Sequence, residues 1–129
     1  MDLYTISFLH IGGIIMEMKI HLHEDVFEIV KKGIKDIEVR INDEKRRKLH
    51  IGDTLIFLKR PLEDEEIRAT VTGLEYYNNF SELVDNYDMK RLYLENYTKE
   101  MYLNEMKRFY TDEEQLENGV VAIIFRKEK

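Results

Sequence analysis

The sequence predicts an α+β domain with a curved or closed sheet, and three observations lead there. Apolar and polar residues alternate over several short stretches, at Lys19–His23, Lys35–Asn42 and Ile67–Thr72, which is the pattern of half-buried strands. Helical patterns fall between them irregularly, in the order β-α-β-β-β-α-α-β, whereas a doubly wound parallel sheet needs regular βαβ alternation. The 129 residues are 43% hydrophobic, enough for one ordinary core and short for two domains.

Composition narrows the chemistry. There is no cysteine, so disulfides and thiolate metal sites are excluded and a reducing cytoplasm is the natural compartment. No apolar run approaches the roughly 20 residues of a membrane span. The net charge of −6 disfavours indiscriminate attraction to phosphates, so any nucleic-acid role must rest on a local basic patch.

Residues 1–17 are apolar and lack the basic residues of a secretory leader. They read either as a short extra strand or as an extension upstream of a native start at Met16 or Met18, with Gly12-Gly13 a translated ribosome-binding site. Lys19–His23 is the first strand. Asp25, with Glu28 three residues on, has capping-box spacing for a helix whose apolar face is Val26, Ile29 and Val30. Lys31 and Lys32 suit the negative end of that helix, and Gly33 suits the left-handed residue beyond it.

Lys35–Asn42 places Ile37, Val39 and Ile41 on one strand face and Asp36, Glu38, Arg40 and Asn42 on the other. Residues 43–49 form a basic turn or single helical turn, with Asp43 as its cap. Ile51-Gly52-Asp53 is a corner before the buried strand Thr54–Lys59, which Arg60-Pro61 ends. Ile67–Tyr77 is a strand with a bend or bulge at Gly73. Phe80–Tyr87 is a short helix, and 88–97 fits helix or loop. Thr98 caps a helix to Tyr110 with Tyr102, Met106 and Phe109 on one face. Residues 111–118 are a polar connection, and Gly119–Arg126 is a final buried strand.

The segment Gly33-x-Lys35-x-x-Glu38-x-Arg40 resembles the GxKxxExR motif of the ASCH domain, a branch of the PUA-like superfamily. The likeness continues in order. It includes Asn42-Asp43 before a basic pair, Gly52-Asp53 opening an apolar strand, Tyr76-Tyr77 ahead of Phe80-x-Glu82-Leu83, the aromatic pair Phe109-Tyr110, and the closing strand Gly119–Ala122.

This resemblance implies a small PUA-like mixed β-barrel flanked by helices over residues 18–129, with a ligand cleft beside the motif and no cofactor. Members of the family bind RNA or act on modified nucleosides. One subgroup hydrolyses acetylcytidine with the motif lysine and a threonine nucleophile; this chain has Glu38 where that threonine falls. The subgroup also uses a later glutamate, for which Glu75 and Glu82 are the candidates here. Another subgroup acts as ribonucleases, and nothing in this sequence decides for it.

The site residues the resemblance implies are Lys35, Glu38, Arg40, Asn42, Asp43, Lys45, Arg46, Arg47 and Tyr110. The bland reading of Glu38 and Arg40 is a solvated strand face with a weak exposed pair. In the functional reading, Lys35 and Arg40 contact phosphate or a base edge, and Glu38 accepts from an exocyclic amine or orients the two cations. In an enzyme, Lys35 acts as base and Glu38 activates water. The run Lys45–Lys48 is either a solvated face or a phosphate-steering patch extended by Lys59 and Arg60. The tyrosines of the second half either stack on bases or lie half-buried in the core. His21-x-His23 shares a strand face but has no third metal ligand.

Three readings follow: an RNA- or nucleotide-binding protein, a hydrolase of modified nucleosides or RNA, and a module whose acidic surface meets a protein partner.

Overall fold

The computed structural model of the chain describes residues 4–8 and 14–129. Its strands are β1 (Tyr4–Phe8), β2 (Ile14–Leu22), β3 (Ile37–Ile41), β4 (Thr54–Lys59), β5 (Glu66–Tyr77) and β6 (Val120–Lys127). Its helices are α1 (Glu24–Lys31), α2 (Phe80–Val84), α3 (Met89–Leu92), α4 (Lys99–Met106) and α5 (Asp112–Asn118). The strands form one mixed sheet in the order β1-β2-β4-β5-β6-β3, the α+β, barrel-like class that the strand pattern predicts. β2 and β4 run parallel, and every other pairing is antiparallel.

Alternation along the strands divides the core in two. One cluster joins Met18, Ile20, Leu55, Phe57, Ala69, Val71, Val121 and Ile123 with Val26, Phe27 and Val30 of α1. The second joins Ile37, Val39 and Ile41 with Val120 and Ala122 and with Phe80, Leu83, Leu92 and Tyr102 from α2, α3 and α4. Each fully buried large apolar side chain contributes about 1.5–3 kcal/mol relative to exposure. β6 therefore contributes to both clusters, and β3 is buried along nearly its whole length. The expected break at Gly73 is a β-bulge between Val71 and Gly73.

Several elements differ from the sequence pattern. The strand expected at Lys19–His23 is β2, which begins at Ile14, and β1 pairs with it from Tyr4 opposite Met18 to Phe8 opposite Ile14. Gly12-Gly13 lies outside the described residues. α1 starts two residues earlier than a cap at Asp25 requires. His23 occupies the cap position without a side-chain bond, and Asp25 sits in the first turn, where its charge suits the helix dipole. Phe27 is fully buried in α1, and Ile29 only partly.

α4 ends at Met106, and Phe109 is 61% exposed instead of sharing the inward face of Tyr102. The chain leaves helical geometry after Met106, so the 3.6-residue spacing no longer holds at Phe109. Residues 112–118 are a helix, not a polar connection. The Thr111 hydroxyl accepts from the Glu114 amide, and the Glu114 side chain returns to the Thr111 amide, a complete capping box. The mostly polar composition masked that start signal. Among the described residues, no helix is long and apolar enough to cross a membrane.

Candidate nucleotide-binding cleft

The site begins where α1 stops. Gly33 takes φ +77°, a left-handed conformation that costs a residue with a Cβ more than it costs glycine. The amides of Gly33, Ile34 and Lys35 fold back onto the carbonyls of Val30 and Ile29, closing the helix end. This turn delivers Lys35 inward: the whole residue is 2% exposed. Its Nζ donates to the Ile37 carbonyl and, at 2.6 Å, to the Leu92 carbonyl, and lies 3.2 Å from Glu38 Oε1. An ammonium has three protons, and here three oxygens receive them.

Asp36 holds the other side of this arrangement. Arg91 Nε and Nη2 donate to its two carboxylate oxygens at 2.8 and 3.3 Å, and the Asp36 amide donates to the Arg91 carbonyl at 3.2 Å. That clamp ties α3 to the entry of β3 and sets the neighbouring Leu92 carbonyl over Lys35. The sequence pattern offers no signal for Leu92, because its contribution is a main-chain oxygen.

Register decides the environment of Glu38 and Arg40. Glu38 stands opposite Ile123, and Arg40 opposite Val121, both members of the main core cluster. The strand face that reads as polar and solvated is turned toward the core, and Glu38 is 6% exposed. Arg40 Nη2 donates to Glu38 Oε2 at 2.8 Å, and its side chain keeps 20% exposure. Both carboxylate oxygens of Glu38 are thus engaged by cations.

Burial alone would raise the Glu38 pKa, but the charges of Lys35 and Arg40 outweigh it and hold the group at about 2. Burial pushes Lys35 below its ordinary 10.5; the Glu38 carboxylate opposes that shift and Arg40 adds to it. Three oxygens surround Nζ, the number an ammonium group can serve.

This charged floor opens into a cleft of about 680 Å³. Lys35, Glu38, Arg40 and Tyr110 all line it. One wall is built from β2 and α1, with His21, His23 and Asp25, joined by Arg60, whose amide is fixed to the Leu22 carbonyl at 2.9 Å. The other wall carries Tyr93, Tyr97, Tyr102, Glu105, Arg108 and Phe109 from the α3–α4 region. Tyr93 packs edge-on against Tyr97 and Tyr102, with ring centroids 4.8 and 5.8 Å apart. Four basic side chains, Lys35, Arg40, Arg60 and Arg108, meet the carboxylates of Asp25, Glu38 and Glu105 in the lining, in a protein of net charge −6.

The remaining predicted site residues stand elsewhere. Asn42, Asp43, Lys45, Arg46 and Arg47 follow the far end of β3 and do not line the cleft. The Asn42 amide donates to the Gly119 carbonyl at 3.0 Å, and Arg47 Nη2 to Asn118 Oδ1 at 3.0 Å, at the end of α5. Asp43 Oδ1 accepts from the Arg46 amide at 3.1 Å, as the expected cap of that turn. Glu75 and Glu82 are outside the cleft too: Glu75 accepts from the Tyr77 hydroxyl at 3.2 Å, and Glu82 pairs with Asn78. His21 meets Glu63 through Nε2, and among the described residues no cluster of three or more His, Asp or Glu side chains could hold a metal ion.

Comparison with known proteins adds a family and a fold. The ASCH domain model matches residues 20–126. Among solved structures, the hypothetical protein PH0355 shares 30% identity over 85% of this chain and 97% of its own, with a TM-score of 0.74. Protein PF0455 from Pyrococcus furiosus, solved by solution NMR, shares 29% identity over 88% of this chain and 99% of its own, with a TM-score of 0.71. No match was found among curated proteins.

Proposed function

The chain belongs to the ASCH domain family, and from that premise we propose that it binds RNA or a nucleotide-containing ligand in the cleft above Lys35, Glu38 and Arg40. One observation carries the reading. A guanidinium held by a buried carboxylate, Arg40 on Glu38 at 2.8 Å, shares a cleft with five aromatic side chains. Phosphate or a base edge suits the guanidinium, and the flat face of a base suits the tyrosines. The volume is within the usual range for a small ligand. Glu38 and Lys35 serve as the fixed support of Arg40, not as a reacting pair. Within the basic run, Arg46 is turned in toward Asp43, and Lys45, Arg47 and Lys48 act as a separate steering surface for phosphates; the absence of cysteine suits a reducing cytoplasm.

The test is a titration of bulk transfer RNA at low and moderate salt, with Arg40→Ala alongside. Loss of an arginine contact to a base edge or phosphate should weaken binding about tenfold or more, with cooperative unfolding retained. Unchanged affinity in the variant counts against the cleft. Absence of binding at low salt redirects the search to nucleosides, where turnover of acetylcytidine that vanishes in a Lys35→Ala variant still showing cooperative unfolding would instead establish a hydrolase.

A further inference from the structure

We infer that the cleft receives one nucleotide of a longer single strand, with the adjoining base stacked on Phe109 at the rim. This rests on the reading of the cleft as a nucleotide site and specifies the class of ligand it takes. Two aromatic residues follow one another at the tip beyond α4 and take opposite roles. Tyr110 turns into the protein, its ring 5.4 Å from that of Phe80. Phe109 also lines the cleft yet remains 61% exposed. Their amides bond the same Met106 carbonyl, at 3.0 and 2.9 Å, so the step from inner to outer ring is held by the backbone.

A singly exposed apolar side chain is ordinary on a protein surface. This one differs in its setting. The Arg108 guanidinium lies 5.7 Å from its ring, and that arginine is itself 69% exposed. A flat π face and a cation thus stand together at the mouth of an aromatic cleft, the pairing that holds bases and backbone of a single strand. Glu105 takes one Arg108 nitrogen at 2.7 Å, which orients the guanidinium and leaves its other N–H donors to meet a phosphate. Phe109 lines the cleft yet keeps 61% exposure, which leaves ring surface for a second nucleotide to cover.

The experiment compares calorimetric affinities of uridine and adenosine 5′-monophosphates with those of the 5′-phosphorylated dinucleotides pUpU and pApA, at one salt concentration. For the base series that binds, the dinucleotide should be about tenfold tighter. Phe109→Ala should reduce that dinucleotide-to-mononucleotide ratio, and Phe109→Trp should restore it. A ratio near one in the wild type, or a ratio unchanged in Phe109→Ala, with monophosphate binding still dependent on Arg40, overturns the inference and leaves the cleft reading standing. If neither length binds the wild-type protein, both fall together.

Discussion

Lys35 Nζ lies 3.2 Å from Glu38 Oε1, with side-chain exposures of only 1% and 8%. Taking two such charges out of water costs several kcal/mol per ion, and their attraction offsets this only when the remaining protons and lone pairs are satisfied. Here they are: the Ile37 and Leu92 carbonyls accept from the lysine, and Arg40 donates to the second carboxylate oxygen. The pair locks the turn after α1 to the end of α3, and it fixes Arg40 from below.

Removing one partner should therefore be costly. Lys35→Met leaves Glu38 buried against Arg40 alone and strips the Leu92 carbonyl of its donor. Urea unfolding should show a loss of about 3–5 kcal/mol. The double variant Lys35→Met/Glu38→Gln should lose less than the sum of the two single changes, because the charges are coupled. Additive losses would show that the pair is not a unit.

Acid should unlock the same pair. Glu38 titrates at about 2 in the folded protein against 4.5 for a free glutamate. A depressed carboxylate pKa gives stability that is present above the unfolded value and lost as pH falls toward the folded one. That contribution is roughly 3 kcal/mol, disappearing between about pH 5 and pH 2. Stability measured by urea midpoint across that range should fall more steeply in the wild type than in Glu38→Gln, which starts lower at neutral pH. Parallel profiles would contradict the assignment.

Arg47 separates a steering patch from a solvated face. Its hydrogen bond to Asn118 is exposed, so Arg47→Ala should change stability by no more than about 0.5 kcal/mol. If the residue meets phosphate, the slope of log affinity against log salt for RNA should become shallower by about 0.7 for a single strand or about 0.9 for a duplex. An unchanged slope makes the run a solvated face.

Thr111 carries the start of α5. Thr111→Ala removes the acceptor of the Glu114 amide and should cost about 1 kcal/mol. Thermal denaturation should then move down by about 3–6 °C, and Thr111→Ser should keep most of the wild-type value. A midpoint unmoved by the alanine would mean that the helix start is held by packing alone.

The legible parts of the sequence were those with strong local causes. The strand Thr54–Lys59, the bulge at Gly73 and the left-handed Gly33 all stand where alternation and glycine chemistry put them. Local signals failed where two of them competed. Asp25 looked like a cap, but the helix began at Glu24. TDEEQLEN looked like a loop by composition, although the Thr111–Glu114 box made it a helix. Phe109 carried the right spacing for the core and fell beyond the helix end.

The sequence by itself determined the family motif, the α+β class and the residues Lys35, Glu38, Arg40 and Tyr110 that line one cleft. It could not determine what surrounds them. Alternation shows that Glu38 and Arg40 share a face; only pairing with β6, far along the chain, turns that face toward Ile123 and Val121. Burial then converts what would be a weak surface pair into a tightly held one, because the same charges interact far more strongly when water is excluded. The Leu92 carbonyl that completes the lysine's shell, and the separation of Asn42–Arg47 from the cleft, belong to the tertiary structure alone, since both depend on where distant helices and strand ends come to rest.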